Sequence, residues 1–223
     1  MTTDYSAEKT TFIPGPLGRL EAKIGINPAG GNHPIGIVCH PHPLFQGTMN
    51  NKVITMVIRA WQALGFNTLR FNFRGVGESY GVYGEGEGEI EDLSAVLGFV
   101  RQNHPHSPIW LAGFSFGAYI ALRIAATDPE IAGLISIAPA LRLFDFKQFG
   151  LISCPWLIVQ GDQDEVTEPL QVASWYQTLI AEKTGLQPEL VWIPGASHFF
   201  HGHLVGLRQL LQAFSEKHQS LDH

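Results

Sequence analysis

Cysteine is nearly absent from this chain. Two residues of 223, Cys39 and Cys154, are all it has. Both fall at or beside apolar strand-like runs, which reads as buried thiols in a reducing cytoplasm rather than as a disulfide. Two cysteines so far apart give no metal-ligand spacing either. Charge is also scarce, at 15% of residues, and Lys plus Arg (14) fall short of Asp plus Glu (20). The formal net charge of −6 argues against nucleic acid, which needs a basic footprint, and against docking on anionic membranes. No run is apolar for long enough to cross a bilayer. The opening "MTTDYSAEKT" lacks the basic-then-apolar pattern of a signal peptide. No internal repeat or low-complexity linker divides the chain, so a single domain over residues 1–223 is expected, in the cytoplasm. A homodimer is left open.

Apolar residues, by contrast, make up 45% of the chain, enough for a sizeable core. The stretch "TTFIPGPLGRLEAKIGIN" reads as two strands joined by a Pro/Gly turn. Strands and helices then alternate. Strands are expected at 35–40, 67–73, 108–113, 131–138, 155–160 and 188–194. Helices are expected at 51–65, 90–103, from 116 onward, at 168–185 and at 204–218. Short, continuous, apolar strands between helices predict an α/β fold, a mostly parallel, doubly wound sheet covered by helices on both faces. Ligands bind such sheets beyond the carboxyl ends of the strands, so the loops there carry the functional signal.

After "PIWLAG" stands Ser115, in "GFSFG", at a strand-to-helix corner. A tight turn of this kind strains the serine backbone and exposes its hydroxyl, and Gly113 and Gly117 supply positions without a Cβ. A glycine-rich packing corner is the plainer alternative. After "PWLIVQ" come Asp162, Asp164 and Glu165. After "PELVWIPG" comes "ASHFFHGH", with His198, His201 and His203. Serine, acid, histidine, each after a successive parallel strand, is the chain order of a Ser-Asp-His triad on such a sheet. The types fit the chemistry. A serine hydroxyl needs a neutral imidazole to take its proton, and the imidazole needs a carboxylate to fix its tautomer and its charged form.

With "CHPHPLFQGTMNN", "LRFNFRGVGES", "LAGFSFGAYIAL" and "GASHFF", the chain resembles the α/β-hydrolase superfamily along nearly its whole length. Within it, the chain looks like a bacterial group of small hydrolases with little or no cap. The resemblance implies Ser115 as nucleophile, Asp164 as acid and His198 as base. Asp164 rather than Asp162 matches the family's glycine-x-x-aspartate spacing, counted from Gly161. Asn72 stands where many relatives carry Asp. The oxyanion hole needs two backbone donors, and Phe116, directly after the nucleophile, is expected to give one. In the loop "HPHPLFQG", Pro41 and Pro43 have no N–H, which leaves His42 and Leu44. Where relatives carry histidine-glycine followed by the donor, this chain has His40-Pro41 followed by His42, which favours His42.

Leu44, Phe144 and Phe146 are expected to line a shallow acyl pocket, with Phe149 beside them. Residues 139–154 are too few for a multi-helix lid. His40 is expected to brace the oxyanion loop, and Arg74 to bond its own loop. "HPH" and "HFFHGH" match no usual zinc pattern, so no metal is expected. "GVGES" and "YGEGEGEIED" lack the lysine of a phosphate loop and the dinucleotide fingerprint, so no cofactor is expected. The expected activity is that of a serine hydrolase cleaving a carboxylic ester or thioester of a small or short-acyl substrate through an acyl-enzyme. Amide or peptide hydrolysis is the enzymatic alternative. A non-catalytic scaffold used for binding is the alternative of another class.

Overall fold

Strands buried on both faces are mostly apolar, and five of the eight strands described are buried along nearly their whole length. The computed structural model describes residues 8–144, 146, 151–182 and 186–219. A hairpin of β1 (Lys9–Gly15) and β2 (Gly18–Gly25) opens it. Then follow β3 (Ile35–Cys39), α1 (Lys52–Ala63), β4 (Asn67–Phe71), α2 (Glu87–Asn103), β5 (Ile109–Phe114) and α3 (Phe116–Ala125). The chain continues through β6 (Ile131–Ile137), β7 (Trp156–Gly161), α4 (Pro169–Glu182), β8 (Glu189–Ile193) and α5 (Leu204–His218). The sheet order is β1-β2-β4-β3-β5-β6-β7-β8. β3 to β8 pair in parallel, and the hairpin adds two antiparallel strands at one edge.

Successive strand residues point to opposite faces, and each face has its own core. Ile37, Leu69, Leu111 and Ile158 face α2, α3 and α4, while Val38, Ala112, Ile135 and Val159 face α1 and α5. Among the described residues no helix is long and apolar enough to cross a membrane. Both cysteines are free and buried. Burial raises the Cys154 thiol to about 12 and raises Cys39 as well, so both are inert thiols rather than nucleophiles.

One boundary differs from the sequence reading. α2 begins at Glu87, three residues before the expected start, inside the glycine-rich run. Glu89 explains the early start. Its carboxylate accepts the N–H groups of Gly84 and Gly86 at 2.9 and 2.8 Å and so caps the helix. Arg74 is also corrected. It bonds Asp92 at 2.8 Å and Glu91 at 3.1 Å, both on α2, rather than its own loop. Of the expected helix at 168–185, residues 183–185 lie outside the described residues, as does Phe149.

From β3 the chain winds one way to β4, then returns to β5 on the other side. The carboxyl ends of β3 and β5 therefore form the switch point where doubly wound sheets open a crevice. The crevice depends on a close approach. A Cβ on Gly117, in the first turn of α3, would lie 2.2 Å from the Cys39 carbonyl oxygen. Gly117→Ala should force α3 off the end of β3, an overpacking that costs about 1–3 kcal/mol. Thermal melting should fall by several degrees for a chain of this length. An alanine variant that melts with the wild type would mean that the contact is looser than this.

Candidate active site

Ser115 joins β5 to α3 with φ 56° and ψ −112°, a region that L side chains rarely adopt. Strain of this kind costs about 1–3 kcal/mol. It is held by the Ser115 N–H, which donates to Ile137 O at 2.8 Å. Gly113 makes the turn possible, since a Cβ there would lie 2.1 Å from Gly117 O.

The loops after β7 and β8 are sewn together. Asp162 Oδ1 accepts the Gly195 N–H at 2.7 Å, and Glu165 Oε2 accepts the His198 N–H at 3.2 Å. A Cβ on Gly161 would lie 2.2 Å from Ala196 O. This seam delivers His198 to Asp164. His198 Nδ1 lies 2.8 Å from Asp164 Oδ2, and His198 Nε2 lies 3.1 Å from Ser115 Oγ. All three residues are buried. An ionised carboxylate only accepts, so Nδ1 carries the proton, and Nε2 is free to accept from the serine. The imidazole is wedged between Phe114 and Phe199, with ring centroids 5.1 and 5.2 Å away.

Burial pushes the Asp164 carboxyl upward. The hydrogen bond and charge of His198, with the Thr167 N–H and the Gln160 amide, outweigh that and hold it below the usual carboxylate range. Asp164 Oδ1 takes the N–H groups of Val166 and Thr167, each at 2.8 Å. Asp162 has no part in this set, and His201 and His203 stand outside it. His203 caps α5.

At the end of β3, His40 is fully buried. It accepts the Phe73 N–H on Nε2 at 3.1 Å and reaches Pro41 O through Nδ1 at 2.6 Å. Nδ1 therefore carries its proton, and the ring ties the loop after β3 to the one after β4. Among the described residues no hydrogen bond takes up the His42 N–H. The Leu44 N–H instead donates to His42 Nδ1 at 3.2 Å. That bond occupies the alternative donor, and the Leu44 side chain is exposed.

With Nδ1 accepting, the neutral His42 ring donates through Nε2 to Tyr83 Oη, 3.1 Å away. His42, Tyr83 and Phe144 pack around Phe116, with centroids 5.1 to 6.1 Å from its ring. Phe144 thus stands on this wall. Phe146 does not, because its ring packs on Tyr119 and Trp175 in the core. Asn72 accepts the Met49 N–H and donates to Glu21 Oε2, each at 2.8 Å. An aspartate there would set a carboxylate against Glu21. Among the described residues no group of His, Cys, Asp and Glu is arranged to hold a metal.

Two residues of this region escaped the sequence reading, Tyr83 and Gln160. Gln160 left a signal, as a polar residue closing an otherwise apolar strand. Tyr83 left none within its glycine-rich run.

Comparison with known proteins meets this geometry from outside. Residues 50–146 match the model of a hydrolase family described as serine aminopeptidase, S33. An α/β serine hydrolase homologue from Coxiella burnetii is 47% identical, with a TM-score of 0.85, over 93% of this chain and 97% of that one. A serine hydrolase without lid from Xanthomonas campestris is 42% identical, with a TM-score of 0.86, over 95% of each chain. An uncharacterised protein of Rickettsia prowazekii is 36% identical over 193 residues, 85% of this chain and 81% of its own length.

Burial lowers the His40 imidazole from 6.5 to about 4. An unfolded chain takes up this proton as the pH falls below 6.5, while the folded one resists until about 4. Stability from the neutral ring is thus complete above that window and lost through it, by about 3 kcal/mol. His40→Gln, which can also accept and donate, should flatten this part of the acid loss. Denaturant midpoints between pH 7 and 4 measure it, and an unchanged slope in the variant would contradict the assignment.

Proposed function

We infer the function from one premise: the chain belongs to the α/β-hydrolase superfamily, alongside a serine hydrolase homologue and a serine hydrolase without lid. On that premise the protein is a serine hydrolase that cleaves the ester or thioester of a small acyl group through an acyl-enzyme. The observation that carries this reading is the unbroken line from Asp164 through His198 to Ser115 Oγ. His198 Nε2 takes the serine proton as Oγ attacks the carbonyl carbon. Asp164 stabilises the imidazolium that forms. The tetrahedral oxyanion takes the backbone N–H groups of Phe116 and His42. Collapse expels an alcohol or thiol, protonated by His198. Water, deprotonated by the same ring, then releases the acid.

A second reading is amide hydrolysis, because the matching family is described as serine aminopeptidase. An aminopeptidase must hold the charged amine of its substrate, which calls for a free carboxylate beside the nucleophile. The wall built on Phe116 is instead aromatic, with His42, Tyr83 and Phe144. Glu165 already accepts the His198 N–H. This supports the ester. A binding scaffold would have no need of a nucleophile held under strain.

A fluorophosphonate probe should label Ser115, and Ser115→Ala should lose both labelling and turnover of a short p-nitrophenyl ester. Wild-type turnover in the alanine variant would end the reading. Asp164→Asn should cost up to ~10⁴-fold in rate. Asp162→Asn, which weakens only the bond to Gly195, should cost far less, and the reverse ranking would transfer the role. Aminoacyl p-nitroanilides turned over faster than matched esters would favour the amide.

Residues 139–154 are too few for a multi-helix lid, so chain length offers a separate test. Rates on p-nitrophenyl esters should fall beyond short acyl chains and show no jump where the substrate aggregates. A jump at that point would reveal a lid after all.

A further inference from the structure

Gln160 is the penultimate residue of β7, with its side chain fully buried. Its Nε2 donates to Asp164 Oδ2 at 2.8 Å, the same oxygen that accepts from His198 Nδ1 at 2.8 Å. A weaker contact joins Nε2 to Gly161 O at 3.3 Å. The reverse orientation of the amide would set a carbonyl oxygen against a carboxylate, so the nitrogen faces Asp164. Oε1 then has no hydrogen-bond partner among the described residues. A buried carbonyl oxygen without a donor costs stability. A methionine would fill the same space without that cost. An amide at this position therefore serves something other than packing.

We propose that Gln160 is a positioning residue of the triad, which aims Asp164 Oδ2 at His198 Nδ1 and shares the charge on that oxygen. This rests on the reading of Ser115, Asp164 and His198 as catalytic. Oδ1 is already fixed by two backbone N–H groups, so the amide governs the other oxygen. Without it, Oδ2 would turn more of its charge on the imidazole. That stabilises the imidazolium, so the acid limb of the pH–rate profile moves upward. The other charged groups at the seam are Glu165, on the His198 N–H, and Asp162, on the Gly195 N–H. Neither donates to Oδ2.

Two variants test this, with wild type and Ser115→Ala as references. Activity on a short p-nitrophenyl ester is followed from pH 5 to 9, alongside Tm. Gln160→Met removes the unpaired Oε1 and the bond to Oδ2 together, so it should melt within a few degrees of wild type, yet lose on the order of tenfold in kcat with KM little changed. Its acid limb should move up by roughly half a unit. Gln160→Glu should work on the acid side, where the neutral carboxyl donates to Oδ2 as the amide does. It should then lose activity as pH rises and the two carboxylates repel. A Met variant with the wild-type kcat and acid limb would overturn the proposal. So would a kcat loss that comes with a lower Tm and an unmoved limb, which is the mark of a merely structural residue. If wild type is no faster than Ser115→Ala, the triad reading falls, and this inference falls with it.

Discussion

Everything at the site hangs on one steric condition: the first turn of α3 must touch the end of β3. Cβ atoms on Gly113 or Gly117 would each meet backbone within about 2 Å, far inside van der Waals contact. Their absence lets the strand reverse into the helix over one residue, and that residue is Ser115, held at φ 56°. The same approach sets the His40–Leu44 loop beside the Phe116 backbone. Remove the close contact and the strained serine, the helix N-terminus and the loop after β3 part company.

A second condition acts on the far side of the switch point. His198 is useful only if Nδ1 is protonated and Nε2 bare, and a carboxylate on Nδ1 dictates that tautomer. A buried carboxylate is costly unless its oxygens are satisfied. Asp164 meets four donors, two backbone N–H groups on one oxygen and His198 with Gln160 on the other. The net effect is a carboxyl held ionised although buried. Asp162 and Glu165 use their charge on backbone N–H groups of the β8 loop instead. Three neighbouring acids thus divide into one that faces the imidazole and two that set its loop.

The parallel sheet was legible because its strands are short, apolar and separated by helix-length stretches. Periodicity needs nothing beyond neighbouring residues to be read. Ser115 was legible because a glycine on each side announces a turn that has no room for side chains. Residues alone left the choice among Asp162, Asp164 and Glu165 open, since all three sit within one short loop and which one turns inward depends on β8. The resemblance chose Asp164, and Asp164 is the acid whose Oδ2 lies 2.8 Å from His198 Nδ1. The partners of Arg74 were misread because Asp92 lies a helix start away. Phe144 and Phe146 looked alike as neighbours in a short loop, yet one faces the wall around Phe116 and the other the core around Trp175. Two residues of separation decide this by chain direction, which no pattern of residue types encodes.

Local rules are broken here mainly where the chemistry would occur. Ser115 carries positive φ, Asp164 is a buried anion, and Gln160 Oε1 and Thr167 Oγ1 are buried without partners among the described residues. Each of these lowers stability, and none is needed to close the sheet. Among the described residues Trp110 Nε1 and His218 Nδ1 are also unpartnered and lie elsewhere, so the clustering is a tendency and not a rule. Two cores of close-packed side chains supply the stability that the site gives up. The direction of the trade is physical. A base strong enough to take a serine proton needs a carboxylate that water does not screen, and shielding that carboxylate is what leaves the groups around it short of partners.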